Sequence, residues 1–269
     1  MKPFLIHNKE RNTYPMVVSL PHSGTWLPET MKKSLYSEVV LANTDWFLPK
    51  LYEFLVAKGC TVIENQVNRY VADPNRGSQM LGQDYQTSVV YQYNTFGHKL
   101  YNQQLEPQTI EERLTNYYWP YHQALQELIN TKRQFYQRVY LLDLHSFAEY
   151  PNQVGIRPAD LVVGNQADQS SSAGFRQLVT SLLEAEDYAV SNNQPFRGGF
   201  ITKFYGNQPH IEALQLEIRY QEYIEARSFG EEVLTKYNPA LFHCAQRRLE
   251  KVFENLLESI SKERRSGGE

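Results

Sequence analysis

Val139-Tyr140-Leu141-Leu142-Asp143-Leu144-His145-Ser146 is an apolar run that closes on an acid and an imidazole. The stretch 139–144, apolar but for Asp143, is too short for an ordinary helix and reads as a strand buried on both faces. Such strands belong to parallel or mixed sheets covered by helices. A second stretch ends the same way: Met16-Val17-Val18-Ser19-Leu20 reads as a strand and runs into Pro21-His22-Ser23-Gly24. A residue at the carboxyl end of a strand in an open α/β sheet sits where ligands bind. Two imidazoles far apart in sequence, each at such an end, can meet around one ion. That requires their rings to lie within about 8 Å of each other, since zinc–nitrogen bonds are roughly 2 Å.

Outward from these strands the chain alternates. Residues 46–58 place Phe47, Leu48, Leu51, Phe54 and Leu55 at helical spacing and stop at Gly59, a natural C-cap. Residues 60–64 read as the next strand, and 115–138 as a long helix with Pro120 early in it. A strand over 161–164, a helix over 175–186 and a strand over 214–218 follow. Residues 226–261 are helical in pattern, interrupted near Asn238-Pro239. The alternation predicts an α/β fold, a twisted mixed, largely parallel sheet flanked by helices. Residues 1–263 are expected to form a single catalytic domain and 264–269 a flexible tail.

The balance of residues narrows the function. With 41% hydrophobic and 21% charged residues, the 269-residue chain can bury a sizeable core. A formal net charge of −3 and no long basic run give nucleic acid no electrostatic footprint. No window approaches the roughly 18 apolar residues of a membrane span, and the N-terminus lacks the apolar stretch of a signal peptide. The two cysteines, Cys60 and Cys244, have no metal-type spacing. A cytoplasmic enzyme with reduced thiols is the economical expectation.

Zinc in a hydrolase takes three protein ligands and keeps one position open. His22 and His145 supply two, and a carboxylate is the natural third, because it leaves a Lewis acid able to polarise a carbonyl and acidify water. Asp45, in Asn43-Thr44-Asp45-Trp46, is the candidate; its competing reading is a helix N-cap. Asp143, two residues before His145, shares its face of the strand and can orient that imidazole or ligate directly. Glu217 sits among apolar neighbours in Leu214-Gln215-Leu216-Glu217-Ile218-Arg219, where a carboxylate needs a task or a partner. General base and ion pair with Arg219 are the two options. Asn75-Arg76, with Arg69 close by, suits capture of an anionic substrate, because a guanidinium grips carboxylates at two points. Pro195-Phe196-Arg197-Gly198-Gly199-Phe200-Ile201-Thr202 reads as a mobile or substrate-covering loop that brings in Arg197, or as a hairpin turn.

The order of these segments resembles the N-formylglutamate amidohydrolase family. The residues that carry the likeness are Pro21-His22-Ser23-Gly24, Thr44-Asp45-Trp46, Arg69 to Arg76, Tyr118-Trp119-Pro120-Tyr121-His122, Asp143-Leu144-His145-Ser146, Phe196 to Thr202 and Ala213 to Glu217, over about 15–225. That family is similar to the zinc carboxypeptidases and aspartoacylase-like deacylases, which implies a zinc-carboxypeptidase-like sheet. The resemblance implies His145 as the second histidine ligand, Asn75-Arg76 as the grip on a substrate carboxylate and Glu217 as the general base. Thr25 stands where carboxypeptidase relatives carry a glutamate ligand, so the resemblance does not assign the third ligand, and Asp45 stands as the candidate on its own reading. Phe147-Ala148-Glu149 follow the second His-Ser, where an arginine is common in deformylases; the nearest here is Arg157.

The expected reaction is metal-dependent hydrolysis of an N-acylated acidic amino acid, most simply N-formyl-L-glutamate to formate and L-glutamate. Zinc is the expected cofactor, with cobalt or iron suited to the same ligands. An amidase or peptidase for another acyl-amino acid or peptide, and a silent ligand-binding relative, are the alternatives. A closed pocket with two cationic anchors favours the small dicarboxylate; an open groove favours a peptide.

Overall fold

The chain's apolar runs pair into strands, and a computed structural model describes residues 1–78, 84–148, 159–225, 234 and 236–261. The strands are β1 (Phe4–His7), β2 (Met16–Leu20), β3 (Thr61–Asn65), β4 (Val139–Phe147), β5 (Leu161–Gly164), β6 (Val190–Asn192) and β7 (Ile211–Arg219). They form one seven-stranded sheet in the order β1-β3-β2-β4-β7-β5-β6. The inner four, β3, β2, β4 and β7, are mutually parallel, while β1 and β5 pair antiparallel to β3 and β7. The mixed α/β sheet is therefore as the alternation requires. Every residue of β2, β4 and β7 is buried, because helices cover both faces.

The helices are α1 (Glu29–Ser34), α2 (Leu48–Leu51), α3 (Glu53–Ala57), α4 (Pro107–Arg113), α5 (Trp119–Phe135), α6 (Ala173–Glu184), α7 (Phe200–Gly206) and α8 (Pro239–Ile260). One face of the sheet packs α2, α3, α6 and α8 through Leu142, Leu144, Leu216 and Ile218, each at most 2% exposed. Burying such a side chain stabilises by about 1.5–3 kcal/mol before conformational entropy is set against it. The opposite face packs α5 and α7 on Val17, Leu141 and Ala213. Along β2, β4 and β7 that second face turns polar toward the carboxyl ends, at Ser19, Asp143, His145, Gln215 and Glu217. The change from apolar to polar sets where the site forms.

Several elements depart from the sequence reading. The helix expected over 46–58 is two short ones broken at Tyr52, and it starts after Phe47, whose backbone is left-handed at φ 59°. The long helix begins at Pro107 rather than 115 and ends at Phe135. A wide π turn over Leu114–Tyr118 precedes Pro120, whose ring and missing N–H do not suit a regular turn. The 195–202 segment is not a hairpin turn, because Phe200 onward coils into α7. Asn238-Pro239 starts α8 rather than interrupting it. The Asn238 side chain accepts from the N–H groups of Ala240 and Leu241, and Pro239 needs no donor at that position. β1, β6 and α1 have no counterpart in the sequence reading, being short and lying at sheet edges or in a long connection. Most of 226–235, Glu149, Arg157 and the 264–269 tail lie outside the described residues. No helix among the described residues is long and apolar enough to cross a membrane.

Candidate metal centre and active site

His22 stands two residues beyond β2, and His145 lies within β4, which runs on past the expected end at 144. Pairing of β2 with β4 brings them together, with ring centroids 4.7 Å apart. The turn after His22 packs tightly: a Cβ on Gly24 would lie 2.3–2.5 Å from backbone atoms of Gln66 and Val67, so glycine alone fits.

Asp45 completes the group. It does not cap a helix; α2 begins three residues later with no side-chain cap. Its Oδ2 lies 3.1 Å from His145 Nδ1 and 3.8 Å from His22 Nδ1, and its Oδ1 accepts from the Ser146 N–H and hydroxyl, both at 3.1 Å. His22, Asp45 and His145 each offer a ligand atom within 4.8 Å of the other two. Donor atoms this close together are within reach of one ion at the bonds of about 2.0–2.2 Å that zinc makes.

The remote nitrogen of each imidazole is held by a second carboxylate. His145 Nε2 is 2.9 Å from Asp143 Oδ2, and His22 Nε2 is 2.7 Å from Asp73 Oδ1. Such partners fix tautomer and ring orientation, and both Nδ1 atoms lie on the Asp45 side, where one ion could be held. Asp143 is not one of the three grouped donors, and it in turn accepts from Ser19 Oγ at 2.7 Å. Asp73, given no role by the sequence reading, is a hub with no exposed surface. Its Oδ2 accepts from Arg69 Nη2 at 2.8 Å, from Arg69 Nε at 3.2 Å and from the Tyr91 hydroxyl. Although burial works against ionisation, Arg69 and His22 hold the Asp73 carboxyl well below the usual range. Burial, with help from Arg69, lowers His22 to about 4, so its ring is neutral and able to ligate near neutral pH. Burial also opposes charging of His145, but Asp143 and Asp45 outweigh it and raise its pKa. A cation between the rings would meet the carboxylate excess that this records.

Glu217 is the register partner of His145 across β4 and β7. Burial pushes its carboxyl up to about 8. Gln215 Nε2 donates to its Oε1 at 2.7 Å, while Arg219 binds Asp160 and Glu222 at 3.3 and 3.5 Å. Gln215 is a second residue the sequence reading left without a role. Its signal was a polar side chain two residues before Glu217 in an apolar strand, hence on the same face.

These residues line a cavity of about 540 Å³, with Arg69, Asn75, Arg76, Tyr85, Phe147, Phe196 and Arg197 on its walls. Arg69 is engaged with Asp73. Arg76 is held edge-on by carbonyls, with Nη1 on Asn75 at 3.1 Å and Nη2 on Tyr85 at 3.3 Å. Asn75 Oδ1 accepts from the Ile201 N–H at 2.9 Å, and its Nδ2 lies 3.2 Å from His145 Nε2. His122, from the helix-start motif, donates from Nε2 to the Pro74 carbonyl at 2.9 Å, with its Nδ1 3.0 Å from Tyr205 Oη, pinning the turn that carries Asn75.

The family model for N-formylglutamate amidohydrolase matches residues 14–224, which span every residue of this site. The chain belongs to that family. It is 30% identical to the N-formylglutamate deformylase of Pseudomonas aeruginosa over 258 residues, covering 92% of this chain and 94% of that one. With the N-formylglutamate deformylase of Pseudomonas putida it shares 29% identity, over 78% of this chain and 82% of that one. The crystal structure of N-formylglutamate amidohydrolase from Ralstonia eutropha superposes with a TM-score of 0.82 at 24% identity, covering 97% of this chain and 98% of that one. The family membership and that shared fold agree with the resemblance read from the sequence motifs.

Proposed function

We propose that this chain hydrolyses the amide bond of N-formyl-L-glutamate to formate and L-glutamate, with a divalent metal, zinc by preference, held by His22, Asp45 and His145. The carrying observation is the donor set itself: two imidazoles and a carboxylate converge, and Glu217 emerges beside them. The names of the Pseudomonas relatives support the substrate. When bound, the ion supplies a Lewis acid that polarises the formyl carbonyl and acidifies water.

The chain's own residues do the rest. Glu217, whose buried carboxyl a cation beside it would return to the ionised form, removes a proton from the water that attacks the formyl carbon, and Gln215 holds the receiving carboxylate in place. As the C–N bond breaks, Glu217 passes that proton to the departing amine. Arg76 and Arg197, with the charge of Arg69 behind them and Asn75 on the same wall, grip the substrate's carboxylates. A cavity of about 540 Å³ with cations on its walls suits a small dicarboxylate better than a peptide. Cys60 and Cys244 are both free thiols, which suits a cytoplasmic site of action.

The test is a panel of N-formyl, N-acetyl and N-succinyl amino acids, assayed on chelator-stripped protein and again after zinc is restored. Formate release from N-formyl-L-glutamate, lost on stripping and regained with metal, is the expected result. A metal-replete protein inert toward the whole panel, or equal activity with and without metal, would defeat the reading.

A further inference from the structure

Among the buried polar residues, Gln215 touches both halves of the site. It is 4% exposed, on β7 one alternation before Glu217. Its Oε1 accepts from the Gly199 N–H at 2.7 Å, and its Nε2 donates to Glu217 Oε1 at 2.7 Å. The first bond settles the second. A backbone N–H can only donate, so the oxygen must face Gly199 and the amide nitrogen must face Glu217. Gly199 closes the Arg197-Gly198-Gly199 turn just before α7. That turn has little freedom elsewhere. A Cβ on Gly199 would fall 2.3–2.6 Å from the Asn75 carboxamide, and the Arg197 carbonyl accepts from the Gln166 N–H at 2.7 Å.

We propose that Gln215 is a positioning residue that couples the base to the substrate-gripping turn: one carboxamide aims Glu217 and at the same time sets the height of the turn that carries Arg197. This rests on the amidohydrolase reading above. The two bonds have separable consequences. Loss of the N–H donor frees the Glu217 carboxylate to rotate and acts on kcat. Loss of the acceptor leaves the Gly199 N–H unpaired and loosens that end of the turn, and so acts on KM, through Arg197.

Two variants separate them, each assayed on metal-loaded full-length protein with metal content measured in parallel. Gln215→Glu keeps an acceptor for the Gly199 N–H but puts a carboxylate against Glu217; kcat is expected to fall at least tenfold, with KM within about threefold of wild type. Gln215→Met loses both bonds at similar volume; kcat is expected to fall comparably and KM to rise at least tenfold. One equivalent of metal is expected in both, since Gln215 touches no ligand. If Gln215→Met does not fold, the kcat-only loss in Gln215→Glu carries the test. Wild-type kcat in Gln215→Glu, or a rise in KM equal to its loss in kcat, would overturn the proposal. A wild-type protein inactive on N-formyl-L-glutamate would instead overturn the reading on which it rests.

Discussion

His145 on β4 and Glu217 on β7 are direct register partners in neighbouring parallel strands. Side chains at paired positions of parallel strands leave the same face of the sheet. Strand pairing alone therefore sets an imidazole and a carboxylate side by side, with no loop to place either. The same register sets Asp143 beside both Ser19 and Gln215, so a polar row lies one layer beneath the site. A site built on strands in this way is held more rigidly than one built on loops.

Replacing Glu217 by Gln tests the base. The variant should fold, bind one equivalent of metal and lose about 10²- to 10⁴-fold in kcat, the usual range for one general acid–base group. Steady-state kinetics beside metal analysis checks this. Activity within fivefold of wild type would remove Glu217 from the reaction.

Asp73→Asn and Asp143→Asn keep shape but exchange the acceptor that holds each imidazole. Metal affinity should fall about 10- to 100-fold in each. Competition against a chelating dye reads it directly. Asp73→Asn should also loosen Arg69, whose guanidinium loses its 2.8 Å partner. Unchanged affinity in both variants would mean that the carboxylates do not orient the rings.

Arg76→Ala should raise KM for N-formyl-L-glutamate about 10- to 100-fold with kcat changed much less, since a charge-assisted hydrogen bond to a carboxylate contributes roughly 1.5–3 kcal/mol. Arg197→Ala should act the same way. Discrimination between N-formylglutamate and N-formylleucine should shrink in whichever variant grips the side-chain carboxylate. If both variants keep wild-type KM, the anionic grip lies elsewhere.

Stability should fall on the acid side through buried histidine. Burial lowers His122 from 6.5 to about 4. Between those values the unfolded chain binds more protons than the folded one, so stability rises with pH and is lost as pH drops from 6.5 toward 4. Thermal melts of metal-free protein across pH 4–8 measure it. His122→Gln, which cannot titrate, should flatten that part of the profile; an unaltered slope would assign the loss to other groups.

Much of the architecture was legible locally. Met16–Leu20 and Leu161–Gly164 are apolar runs whose bounds in the structure are those read from sequence. The spacing of Phe242, Leu249, Phe253 and Leu256 makes α8 a one-faced helix in either description. Less visible was α7, whose two leading glycines read as a turn although seven residues beyond them coil. The helix of 46–58 was cut short because the chain there must first carry Asp45 to His145, and periodicity does not register that demand.

Residue order alone carried the alternating strands and helices, the placement of His22 and His145 at sheet ends, and a carboxylate stranded among apolar neighbours at 217. Burial and period follow from nearest neighbours along the chain, so these could be read there. Folding in three dimensions chose among partners. Asp45 turned to an imidazole 100 positions away instead of capping a helix, Asp73 became the anchor of His22, and Arg219 went to Asp160 and left Glu217 to Gln215. Those choices depend on which strands lie adjacent and in what register, and contacts between residues so distant along the chain exist only once the sheet has closed.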